Sequence, residues 1–156
     1  FGKTLASEIA GGPINPHRQV IDQPEQVQVY ETIMADADGA PTFTFLRGAH
    51  YAKDNRLLPL GWNKDHADGP ATLPSGINDD FNFIGGSDRV VYQVPLPGPG
   101  KYTVRAKLLF QVISPRHANE LFQHETAEVK VFREMFDRAD RTPEELASAS
   151  VHVVFD

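Results

Sequence analysis

The chain has 156 residues, 40% hydrophobic and 23% charged, the balance of an ordinary folded protein rather than a disordered one. Fifteen Lys and Arg against 21 Asp and Glu leave a formal charge of −6, with no basic cluster, so a nucleic-acid partner is not expected. No apolar run approaches the roughly eighteen residues of a membrane span, and the absence of cysteine excludes disulfides, Cys-ligated zinc, a Cys nucleophile and haem attachment within this chain.

The chain begins at Phe1 rather than Met, which reads as a fragment, a processed protein or a trimmed one. Residues 1–24 have weak periodicity. Lys3 to Ala10 has the makings of a helical turn ended by Gly11-Gly12-Pro13, and Pro16 and Pro24 then punctuate an extended connector. Gly2-Lys3-Thr4 echoes the end of a phosphate loop but lacks the upstream glycine and strand. Residues 1–24 are therefore read as an interdomain arm or linker, and residues 25–156 as one domain.

Gln26 to Met34 opens with alternation at Val27 and Val29, and Pro41 to Leu46 places Phe43 and Phe45 on one face. Asp36-Ala37-Asp38-Gly39 lies between them, a hairpin turn signal. An EF-hand reading of that turn fails on spacing, because Met34 and Phe45 would occupy the end ligand positions.

Residues 48–87 have little periodicity and read as one long ordered loop, the place for any binding chemistry. Tyr51, Trp62 and Phe81, with Phe83 nearby, suggest a stacking platform for a carbohydrate, against the plainer reading of a hydrophobic plug. Asp79, Asp80 and Asp88 suggest a calcium site built from hard oxygen donors, with Asp65 and Asp68 as further candidates. The alternative is that these Asp residues make turns through their own backbone. A triad of Ser87, Asp88 and His66 or His50 lacks the Gly-x-Ser-x-Gly elbow and is set aside.

The stretch Asp88 to Ile113 is the most regular. Tyr102, Val104, Ala106, Leu108, Phe110 and Val112 alternate with a mostly polar set, the period of a half-buried strand. Val90, Tyr92 and Val94 repeat the pattern upstream of Pro95-Leu96-Pro97-Gly98-Pro99-Gly100, so the two runs are expected to form a long antiparallel hairpin. From Ser114 to Asp140 the apolar residues change to three-and-four spacing, an amphipathic helical segment with a break near Gln123 to Thr126. Glu120, His124 and Glu128 sit four apart and would share a helix face, which allows a metal-dependent enzyme as a third reading. Thr142-Pro143-Glu144-Glu145 has the form of a capping box, and Val151, Val153 and Phe155 return to β spacing. The expected architecture is a mainly antiparallel, jelly-roll-like β-sandwich with one helical segment near 115–140.

Three runs carry a resemblance. They are Gln26-Val27-Gln28-Val29-Tyr30-Glu31, the segment Lys53-Asp54-Asn55-Arg56-Leu57-Leu58-Pro59 within 47–62, and Phe83-Ile84-Gly85-Gly86-Ser87-Asp88-Arg89. With them, residues 20–140 resemble the haem-free C-terminal region of certain bacterial, exported multihaem c-type cytochromes. The resemblance implies a periplasmic or extracellular location and an electron-transfer parent. It also implies haem c bound upstream of Phe1, with the haem-binding domain as partner, and none of those ligands maps onto this cysteine-free chain. The expected role is a non-catalytic accessory domain. A carbohydrate- or calcium-binding module is the alternative.

Overall fold

A computed structural model describes residues 13–156, so the Gly2-Lys3-Thr4 echo and the expected helical turn at 3–10 lie outside the described residues. The chain forms two compact units, Phe1–Val94 and Pro95–Asp156. Among the described residues it is β-rich with two α-helices, and no helix there is long and apolar enough to cross a membrane.

The first unit contains two small sheets. Strands β2 (Thr32–Ala35), β3 (Pro41–Thr42) and β4 (His50–Asp54) form an antiparallel sheet in the order β3-β2-β4. The expected Asp36-Ala37-Asp38-Gly39 turn joins β2 to β3. Asp36 closes it by accepting from the backbone N–H groups of Asp38 and Ala40 at 3.1 and 2.9 Å on Oδ1, and Gly39 supplies the positive φ of 83°. The Arg47 guanidinium adds a 2.8 Å bond to Asp36 Oδ2. Ile33 and Ala35 point inward and are buried.

In β4 the ladder slips by one residue: Ile33 faces Lys53, but Met34 faces Tyr51. A one-residue bulge at Ala52 flips the side chains beyond it to the opposite face. Lys53 is thereby turned inward beside Ile33, and Tyr51 is left half-exposed on the outside. Residues 48–87 thus contain a strand where a continuous loop is expected. The end of that strand also exchanges both backbone bonds with Ser75. A single 3-10 turn at Pro70–Thr72 follows Gly69.

The second sheet corrects the expected hairpin. Strand β1 (Val20–Ile21) pairs in parallel with β5 (Val91–Tyr92), Val20 against Val91 and Ile21 against Tyr92. The residues on either side of the Pro-rich hexapeptide therefore have different partners. Three prolines in six residues remove backbone donors and stiffen the segment, and the boundary between units falls at its first residue. Residues 13–24, read as an arm, contribute Asn15, His17 and Ile21 to the buried interior of this unit.

In the second unit, β6 (Gly100–Phe110) pairs with β7 (Glu144–Phe155) as a two-stranded antiparallel ribbon. Directly paired residues share a face. Tyr102 with Val153, Val104 with Val151, Ala106 with Ala149 and Leu108 with Ala147 make one face wholly apolar. The other carries Thr103 with His152, Arg105 with Ser150 and Lys107 with Ser148. The capping-box expectation at Thr142 is not met. Glu144 opens a strand instead, because the run from Leu146 to Phe155 has the β-branched spacing that a ladder selects and a helix does not. Helices α1 (Pro115–Leu121) and α2 (Ala127–Arg138) connect the two strands, with the break where the spacing puts it. Ser114 and Thr126 cap them by accepting from the N–H groups of His117 and Val129. Phe122, Phe132 and Phe136 pack between the helices with centroids 5.3 to 6.1 Å apart.

Among the described residues the chain has three small sheets and two α-helices, without a closed barrel.

The Ala40 backbone N–H, outweighing the cost of burial and joined by Arg47, holds the Asp36 carboxyl below the usual carboxylate range. A depressed folded pKa contributes stability above the ordinary value of about 3.9, and that contribution is lost as pH falls through the folded pKa. Asp36→Asn is expected to flatten the dependence of Tm on pH below about 4. An unchanged acid slope in a thermal melt series would refute it.

Candidate functional site

The three runs that carry the resemblance converge on one buried polar junction in the first unit. His17 is at its centre, with its side chain fully excluded from solvent. Its ring packs edge-on against Phe83 at 5.2 Å. The polarity of the whole junction follows from two backbone N–H groups. Arg18 N–H donates to Gln28 Oε1 at 2.9 Å, which turns the Gln28 amide nitrogen toward His17 Nδ1 at 2.7 Å. Glu31 N–H donates to Asn55 Oδ1 at 3.0 Å, which turns the Asn55 nitrogen toward Val29 O at 2.9 Å and His17 Nδ1 at 3.1 Å. Two N–H donors aimed at Nδ1 require it to be the acceptor, so the ring proton sits on Nε2. Nε2 then donates to Asp80 Oδ2 at 3.1 Å. The other Asp80 oxygen accepts from Asn82 N–H at 3.0 Å.

Around this centre the same runs add three further pairs. Lys53 Nζ, almost wholly buried by the β4 bulge, donates to Val29 O at 2.9 Å and to Glu31 Oε1 at 3.0 Å. Tyr30 donates its hydroxyl to Asp88 Oδ2 at 2.6 Å. Burial and that carboxylate push the Tyr30 phenol well above its ordinary range. Asp54 meets Arg56 in a two-point contact, Oδ1 to Nε at 2.9 Å and Oδ2 to Nη2 at 2.7 Å. Burial raises the Asp54 carboxyl, but the Arg56 bonds outweigh it and leave it lowered.

The structure treats the sequence candidates unevenly. Of Asp79, Asp80 and Asp88, it brings Asp80 and Asp88 together, with His17 as the third member. One ring nitrogen and one oxygen of each carboxylate lie within 4.8 Å of one another. Asp79 is exposed and lies outside that group, next to Asn78 in left-handed backbone with φ of 55° and 53°. Asn78 is held there by its amide bond to His17 O at 3.0 Å. Tyr51, Trp62 and Phe81 do not stack on one another among the described residues. Tyr51 lies on β4, Trp62 is pinned by its indole N–H to Thr72 Oγ1 at 2.9 Å, and Phe81 is 87% exposed. Phe83 is the ring of this loop that is buried. Glu120, His124 and Glu128 do not share a helix. They fall on α1, on the turn after it and on the first turn of α2.

His17, Asp80 and Asp88 offer the donors of a divalent cation site, and Asp88 Oδ1 is buried without a hydrogen-bond partner. The fit fails at His17. A metal on Nε2 must displace the proton now given to Asp80, and a neutral ring would then carry its proton on Nδ1. A ligating histidine ordinarily donates that second N–H to an acceptor. Here Nδ1 faces two donors, and turning either amide would set its nitrogen against the backbone N–H that fixes it. Calcium is a poorer match still, since it takes oxygen ligands. The same polarity leaves the ring no free nitrogen to serve as a general base. The junction binds itself together.

His17 escapes notice in the sequence because a lone histidine between two prolines has no motif. Its signal was indirect. Gln28, Asn55 and Asp80 are amide and carboxylate groups beside apolar residues, and each needs a buried partner.

No family model, curated protein or solved structure matches the chain.

Two measurements check this assignment. Long-range 1H–15N spectra are expected to report His17 with its proton on Nε2, unchanged by calcium or zinc. A proton on Nδ1, or a metal-induced shift of that ring, would overturn the polarity argument. Tyr30→Phe removes the hydroxyl bonded to Asp88, and for a lost bond to a half-buried charged group the expected cost is about 1.5 kcal/mol in denaturant unfolding. A neutral result would place Asp88 in contact with water.

Proposed function

We propose that this chain is a non-catalytic accessory domain of an exported multihaem c-type cytochrome, acting by packing against the haem-binding part of its parent or by docking a partner. The observation that carries the reading is the convergence of the three resemblance-bearing runs on one hydrogen-bonded junction. Gln28, Glu31, Lys53, Asn55 and Phe83 touch each other or His17, and Asp88 is bonded to Tyr30 of the first run. Residues that distinguish the resemblance are thus occupied in holding a scaffold together, which suits a domain whose product is a surface.

The ribbon supports the same reading. A two-stranded ribbon is marginal in water unless something covers its apolar side. Tyr102, Val104, Leu108, Val151 and Val153 make a face that calls for a second layer. The jelly-roll-like β-sandwich expected over residues 25–156 belongs to this proposal, with the ribbon as part of one wall, and the haem-binding domain of the same polypeptide is the partner it packs against. On this reading the domain lies outside the cytoplasm, with haem c upstream and none on this cysteine-free chain.

The deciding experiment is a visible absorption spectrum of the full-length native protein before and after dithionite. A sharp Soret band with reduced α and β bands is expected. A protein without haem absorbance would end the cytochrome reading.

A further inference from the structure

The ribbon has edges as well as faces, and its two edges differ. Among the described residues each strand of the two-stranded sheet pairs with the other alone, and the outer backbone groups of both β6 and β7 have no ladder partner there. Natural proteins protect such edges with charges, prolines or bulges. The β6 edge is protected by Lys101, Arg105 and Lys107. The β7 edge is not. From Leu146 to Phe155 it has ten residues without Asp, Glu, Lys, Arg, Pro or Gly, and every residue of β7 is exposed. A long, uncharged edge is a template for another strand.

We infer that β7 pairs with β7 of a second copy of this chain, antiparallel about a two-fold axis at Ser150. The sequence of the strand is complementary to itself in that register. Val151 falls opposite the second copy's Ala149 and Val153 opposite its Ala147, each larger residue beside a smaller one. His152 falls opposite Ser148 of the second copy. The apolar and polar faces continue unbroken across the join, because residue pairs that sum to an even number keep the same face. The equivalent pairing of two β6 edges would bring the Lys101, Arg105 and Lys107 sets alongside each other, where like charges repel. Joining through β7 turns a marginal two-stranded ribbon into a four-stranded antiparallel sheet, above the three strands needed for independent stability. It leaves the apolar face open, so this inference stands apart from the proposed function.

The test is the oligomeric state of the chain, with two variants. Sedimentation equilibrium is expected to show a reversible monomer–dimer mixture. Ser150→Glu puts a carboxylate across from Arg105 within its own ribbon, so it does not oppose the hairpin, but sets two carboxylates opposite each other at the axis. It is expected to weaken association up to about fivefold. The chain has no native cysteine, so Ser150→Cys offers one thiol per copy. In the proposed register it meets its own image and cross-links on mild oxidation. Val154→Cys lies about 26 Å from its image by the strand rise and does not. A chain monomeric at every concentration, or a dimer that cross-links through Val154→Cys and not Ser150→Cys, would overturn the pairing. Capture of a strand from a different protein by a monomeric chain would do the same.

Discussion

Everything in the first unit follows from which way two amides point. Glu31 N–H fixes Asn55, Arg18 N–H fixes Gln28, and between them they set the His17 tautomer and hence its bond to Asp80. Each group in the series is a donor or acceptor because its predecessor leaves no alternative. Buried polar networks of this kind add specificity, since a chain with one member reversed has two donors face to face and no water to relieve them. The carboxamides therefore tie the segment around His17 to β4 and to the 77–83 turn. The aliphatic residues Ile21, Ile33 and Ala35 complete the interior around that frame.

The two units use different means of holding together. The first has a small apolar interior supplemented by buried Lys53, Asn55, Thr42 and Asp80, all paired or hydrogen-bonded. The second has Ala118 and a cluster of three phenylalanines between two capped helices, and a ribbon whose ladder runs eleven residue pairs. Arg133 and Arg141 lie over the Phe122 and Phe136 rings at 5.3 and 4.8 Å, extending their aliphatic stems along the cluster. Polar matching dominates one unit and apolar contact the other.

What the sequence made legible was periodic. The 102–112 alternation, the helical stripe with its break, and the Asp-Gly turn each repeat a local rule, and each stands in the structure. Pairing was not legible. Nothing in Val90-Val91-Tyr92 distinguishes a partner ten residues ahead from one seventy residues behind, and the parallel partner prevailed. The candidate site fared similarly. Asp80 and Asp88 were picked out as acidic residues and do meet, but for a reason composition cannot express: one serves His17 and the other Tyr30. Val27 and Val29 read as strand alternation, whereas the ladder begins only at Thr32. The residues between bond through side chains that follow no period.

The bond from His17 to Asp80 spans 63 residues of chain. Closing a flexible loop of that length costs about 4 kcal/mol of entropy before any contact rewards it. The frame that fixes the first unit is consequently among the last parts able to form. During synthesis, the early segment must wait, with its amides bonded to water, until the 77–92 region has emerged and can receive it. Folding of this unit is then governed by topology rather than by helix or turn formation, and belongs to the slower class of domains.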